Sequence, residues 1–116
     1  MTRQFPGDIP ITTRIEPRAY DRYFLSYTGV KLPLRLLTPL EPAEIANRNT
    51  YFGADFDENE RLVLVHKVVY GAVDLEHKYH YHDNGVIRRA EIYDAGDSDE
   101  GIRVLCFDEE GRPSAA

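Results

Sequence analysis

At 116 residues the chain has the size of one ordinary domain, large enough to bury a core without disulfide staples. A net charge of −6, with Arg88-Arg89 as its one arginine pair, excludes a nucleic-acid phosphate surface, which needs clustered Lys and Arg. The single cysteine, Cys106, excludes an internal disulfide and paired-cysteine metal ligation, and points to a reducing, cytoplasmic compartment.

Residues 1–19 carry Pro6, Gly7, Pro10 and Pro17 without periodicity and are expected to form an extended arm anchored by Phe5, Ile9 and Ile11. The arm lacks the apolar run of a signal peptide, and no stretch of the chain approaches the ~20 apolar residues of a membrane helix. A single β domain is expected over 20–110. RYFLSY (22–27) and VKLPLRLL (30–37) are expected strands around a two-residue Thr28-Gly29 turn, with Pro33 marking a sheet edge. LEPAEIANR (40–48) is the one helical candidate, with Pro42 suited to a first turn.

NTYFGADF (49–56) and RLVLVHKVVY (61–70) follow as strands, the second apolar on both faces as a central strand would be. Tyr70-Gly71 turns the chain into AVDLEHKYHYH (72–82), and Asn84-Gly85 turns it into VIRRAEIY (86–93). After the acidic loop DAGDSDEG, IRVLCF (102–107) is the last strand, and GRPSAA (111–116) has the composition of a disordered tail. The fold class is therefore all-β: an antiparallel meander of about seven strands, a curved sheet or small barrel, with one short helix. Those turns place Lys78 opposite Glu91 and Lys67 opposite Asp74, the stabilising arrangement of unlike charges.

An aromatic-Asp turn recurs roughly every 25 residues: Phe56-Asp57 before Arg61, Tyr81-His82-Asp83-Asn84-Gly85 before Val86, and Phe107-Asp108 before Gly111-Arg112. In these turns the sequence resembles the hairpins of tyrosine–aspartate (YD) repeat proteins, whose motif is an aromatic, an Asp, a Gly and a basic residue. With SYTGVKLPL and VVYGAVDLEHKY, the whole chain is also similar to small uncharacterised bacterial proteins of unknown function. Neither resemblance implies an activity.

The stretch HKYHYHDNG (77–85) holds three of the four histidines. Alternation divides them: Leu75, His77, Tyr79 and Tyr81 face one way, Glu76, Lys78, His80 and His82 the other. His80-x-His82 is a metal-ligand spacing, with Glu76 or Glu91 as a third donor. Lys78, Arg89 and Arg61 on the same face would repel a cation, so a solvated face is the expectation, with no metal and no cofactor. On the opposite face, the proposed registers set His66 opposite Leu75, His77 opposite Leu64, Tyr51 opposite His66 and Asp55 opposite Leu62. Tyr51, Asp55, His66, His77 and Tyr79 thereby form one inward cluster, either a satisfied polar network or the lining of a ligand pocket. That reading depends on register, because a slip of one residue exchanges the faces.

Cys106 alternates with Ile102 and Val104 as a core residue would, and Asp94, Asp97, Asp99 and Glu100 lack the spacing of a calcium loop. The expected function is a non-catalytic binding or accessory module docking on a protein partner through an exposed sheet edge or its arm, with a homodimer as one form of such pairing. No nucleic-acid or membrane partner is expected. The alternative is a small-ligand or metal-binding β-barrel, in the extreme an enzyme, using the inward His and Tyr residues.

Overall fold

The computed structural model describes residues 15–29, 31–96 and 102–114. It is all-β, as its sequence patterns imply: eight strands in one antiparallel sheet ordered β2-β1-β3-β4-β5-β6-β7-β8. The strands are β1 (Arg22–Thr28), β2 (Arg35–Leu40), β3 (Thr50–Phe56), β4 (Leu62–Val69), β5 (Ala72–Tyr81), β6 (Ile87–Asp94), β7 (Ile102–Phe107) and β8 (Pro113–Ser114). The sheet is open, with β2 and β8 at its two edges, so the barrel alternative does not hold. The eighth strand comes from the stretch expected to be a disordered tail: Pro113 and Ser114 pair with Phe107 and Cys106. Residues 1–14 of the expected arm, Asp97, Asp99 and Glu100 of the acidic loop, and Ala115 and Ala116 lie outside the described residues.

β1 and β2 do pair, but through a connection over 29–34 and not a two-residue turn, so β2 begins at Arg35. Pro33 lies in that connection, outside the ladder. The edge strand's proline is Pro39, where a missing N–H does not interrupt a central ladder. The helix is one turn, Pro42–Ile45, with Glu44 Oε1 accepting the Glu41 N–H at 2.7 Å. The length of the 40–48 candidate is cut by the return of the chain into β3 at Thr50.

Two of the expected registers are displaced, for identifiable reasons. At the β3–β4 turn, Asp57 N–H donates to the Arg61 carbonyl, closing a three-residue loop, and a bulge follows beside Asp55 and Phe56. Tyr51 therefore lies opposite Val68, not His66, and Asp55 opposite Leu64, not Leu62. A displacement of two residues leaves the faces unchanged. At the β4–β5 turn Tyr70 and Gly71 both adopt positive φ, as a two-residue hairpin turn requires, but Asp74 then bulges out of β5. Lys67 faces Leu75, His66 faces Glu76, and His77 faces Val65. This displacement is by one, and it moves His77 to the face opposite His66. Lys78 does lie opposite Glu91: a three-residue loop at 83–85 and a bulge between β5 and β6 compensate each other.

Each face of the sheet is covered by a different segment. The inner face carries Phe52, Ala54, Val65, Tyr79 and Ala90, and Leu34 from the β1–β2 connection packs in the same cluster. The outer face carries Leu64, His66, Val68 and Glu76 and is covered by Tyr20. Gly53 makes that cover possible: a Cβ there would lie 2.1 Å from the Tyr20 ring.

Candidate functional site

Both histidines of the expected cluster are buried, His66 at 3% and His77 at 6% exposure, but on opposite faces. On the outer face Glu76 Oε2 lies 2.7 Å from His66 Nε2, and the Tyr20 hydroxyl lies 2.6 Å from Nδ1. A carboxylate only accepts, so Nε2–H donates to Glu76, and in a neutral ring Nδ1 accepts from the hydroxyl. The hydrogen bond from His66 holds the Glu76 carboxyl below its ordinary range, against the effect of burial. Burial raises the Tyr20 phenol. The Tyr20 oxygen accepts the Arg18 N–H at 3.4 Å, and Tyr20 N–H donates to the Tyr23 hydroxyl at 3.2 Å. Every polar group of this triad has a partner.

The other outer-face residues of the expected cluster serve the same cover. Tyr51 packs against the Tyr23 ring at 5.8 Å between centroids. Asp55 accepts from Arg18 Nη2 at 2.7 Å and from the Asp21 N–H at 2.9 Å. Tyr20 is the residue that sequence reasoning missed: it precedes the first strand and belongs to no periodic pattern.

On the inner face the Tyr79 hydroxyl lies 2.6 Å from His77 Nδ1 and accepts the Leu34 N–H at 3.2 Å. Burial, reinforced by Arg103 and opposed by Asp94, lowers the His77 pKa to about 4. The ring is thus neutral at pH 7, with Nδ1 as acceptor and the proton on Nε2, which has no hydrogen-bond partner among the described residues. Burial also raises the Tyr79 phenol, and it pushes Tyr81 up to about 12.

Beside His77 lies a pocket of about 270 Å³ whose walls include Leu34, Leu75 and Ile92 and four charged residues, Lys67, Asp74, Asp94 and Arg103. Among the described residues these four form no ion pair with one another or with other groups; the Asp94 carboxylate accepts only the Gly96 N–H, at 2.9 Å. A second hollow of about 470 Å³, lined by Leu32, Ile87, Leu105 and Phe107, is mainly apolar and brings no comparable set of polar groups together.

The metal candidates do not converge. Glu76 is engaged by His66, His80 Nε2 lies 3.2 Å from Glu91, and His82 Nε2 donates to the Phe107 carbonyl at 2.9 Å. Among the described residues no group of three His, Cys, Asp or Glu side chains could hold a metal ion. Cys106 is half-buried in β7.

These features define an open antiparallel β domain with one buried Tyr–His pair on each face. The chain belongs to a family of unknown function, DUF6156, which matches residues 16–116. No curated protein and no solved structure matches the chain. The resemblance to YD repeats is not confirmed. The recurring aromatic-Asp pattern has a local cause: Asp57 and Asp108 each accept N–H groups of their own turn and pair with Arg61 and Arg112. No described helix is long and apolar enough to cross a membrane.

Proposed function

We propose that this domain binds a small polar molecule in the inner-face pocket beside His77. The observation that carries this reading is the set of four charged side chains that line one cavity and form no ion pair among the described residues, next to a buried imidazole whose Nε2 has no partner among them. Arg103 is exposed and the other three are half-buried, so each charge stays hydrated without an ion pair and is available to a polar ligand in the pocket. The outer-face triad offers no such opening, because its donors and acceptors satisfy one another. The test is a small-fragment screen read by amide and imidazole shifts. Saturable shifts grouped at Leu75, His77, Ile92 and Arg103 support the reading; fragments that bind elsewhere or nowhere refute it.

A second reading is supported by the edge of the sheet. β8 pairs only with Cys106 and Phe107, which leaves the outer edge of 102–105 open among the described residues, with Ile102 at 59% and Val104 at 46% exposure. An open apolar edge without proline suits strand addition by a protein partner. Co-purification of a partner with the full chain, lost on replacing Ile102 and Val104 by Lys, would support docking there; an isolated monomer would retire it.

A further inference from the structure

We infer that the ligand of the inner-face pocket is a small zwitterion, with an anionic and a cationic end joined by a short apolar spacer. The inference rests on the pocket reading above and adds the chemical class. It follows from how the sheet distributes the charges. Lys67, Leu75 and Asp94 form one row across β4, β5 and β6, and His77, Ile92 and Arg103 form the next across β5, β6 and β7. Lys67 and Asp94 are thus two strands apart, on the order of 10 Å between backbones, with Leu75 between them. Asp74 is added to the same rim by the β5 bulge, which ejects it from the ladder.

The formal charge of the lining sums to zero: two cations, two carboxylates and a neutral imidazole. A simple anion attracted by Lys67 or Arg103 would also face Asp74 and Asp94, and a simple cation would meet the reverse opposition. A dipolar molecule satisfies both signs at once, which is discrimination by repulsion as well as attraction. Leu34, Leu75 and Ile92 supply apolar wall for the spacer, and His77, a lining residue whose Nε2–H has no partner among the described residues, adds a neutral donor for the anionic end. At about 270 Å³ the cavity lies just below the ~300–1,000 Å³ of drug-sized ligand pockets, so the molecule has amino-acid dimensions.

The experiment titrates the full chain with ω-amino acids of one to four spacer carbons, and with propionate, propylammonium and propionamide, following the His77 imidazole and the Leu75 and Ile92 amides. The expected result is saturable binding with an optimum in spacer length, at least tenfold tighter than any of the three reference compounds. Asp94→Asn, which keeps the acceptor for Gly96, should abolish the preference over propionate. Lys67→Met should abolish the preference over propylammonium. Such matched losses differ from a folding defect, which would weaken all ligands alike. Propionate or propylammonium binding as tightly as the best amino acid, or the amino acids failing where other fragments shift the same residues, overturns the zwitterion class and leaves the pocket reading standing. If neither these compounds nor the fragments shift the pocket, both fall.

Discussion

The two faces of the sheet solve one problem in the same way up to a point, then diverge. On each face a segment from outside the central strands crosses the sheet, and a backbone N–H from that segment, Arg18 or Leu34, donates to a tyrosine hydroxyl. That hydroxyl lies 2.6 Å from the Nδ1 of a buried histidine, His66 or His77. On the outer face Glu76 then engages Nε2 and the chain of bonds is closed. On the inner face nothing described engages Nε2, and the imidazole borders a cavity. One face closes its network within the described chain, while the other keeps its histidine at the wall of a cavity.

The largest expected effect breaks the outer face alone. Gly53→Ala places a methyl group inside the Tyr20 ring, so Tyr20 must leave and His66 and Glu76 lose their cover. Removal of a buried aromatic costs about 3–5 kcal/mol, and urea unfolding should show a loss in that range. Adding Tyr20→Ala to Gly53→Ala should cost little more, since the same contact is already gone. Additive losses would show that Gly53 has some other role.

The next effect separates the faces by pH. The folded pKa of His77, about 4, lies below the ~6.5 of an unfolded histidine, so the unfolded chain takes up the proton first. Stability is fully present above pH ~6.5 and falls with pH until about 4, by about 3 kcal/mol. The depressed Glu76 carboxyl acts in a lower window: its contribution is present above ~4.3 and is lost as pH falls through its folded value. Denaturant titrations between pH 7 and 4 should therefore show a slope that His77→Leu removes and Glu76→Gln does not. A slope unchanged in His77→Leu would place the titrating group elsewhere.

The smallest effect sharpens the origin of the difference. Asp74 is the extra residue in β5; without it Val73 and Leu75 become neighbours and keep their partners Val68 and Lys67 in a regular ladder. Deleting Asp74 should leave the fold and the His66–Glu76 contact intact, within about 1 kcal/mol by thermal unfolding. Loss of the His66–Glu76 contact in that deletion would mean that the bulge does more than separate the faces.

Much of the fold could be read from alternation and turn chemistry. The Tyr70-Gly71 turn and the antiparallel order rest on local patterns that tertiary context did not override, whereas the Lys78–Glu91 pair survives because the three-residue loop at 83–85 and the bulge between β5 and β6 cancel. The site was legible only in part. Its residue types were recognised, but their grouping depended on a bulge, and Asp74 is a residue that fits a regular strand as readily as a bulged one. The β3–β4 register was hidden similarly: Glu60 holds φ 63, where Gly111 holds φ 85 at the matching turn, so no glycine marked the shorter loop. Tyr20 could not be found from periodicity, because its role is set by a glycine thirty-three positions later in the chain.

The strand order also bears on how the chain assembles. From β3 to β8 every strand pairs with its sequence neighbours, so each step closes a short loop and loses little chain entropy. The β1–β3 pairing is the exception, since it must span β2 and the helix. That step brings Tyr20 over Gly53 and Leu34 over Tyr79: His66 acquires its tyrosine partner through the least local contact in the sheet, whereas Tyr79, two residues from His77 on β5, acquires there only the Leu34 N–H. The Tyr20–His66 and Leu34–Tyr79 hydrogen bonds are consequently reporters of late folding, and a chain stalled before that closure would be a native-like ladder with both faces bare.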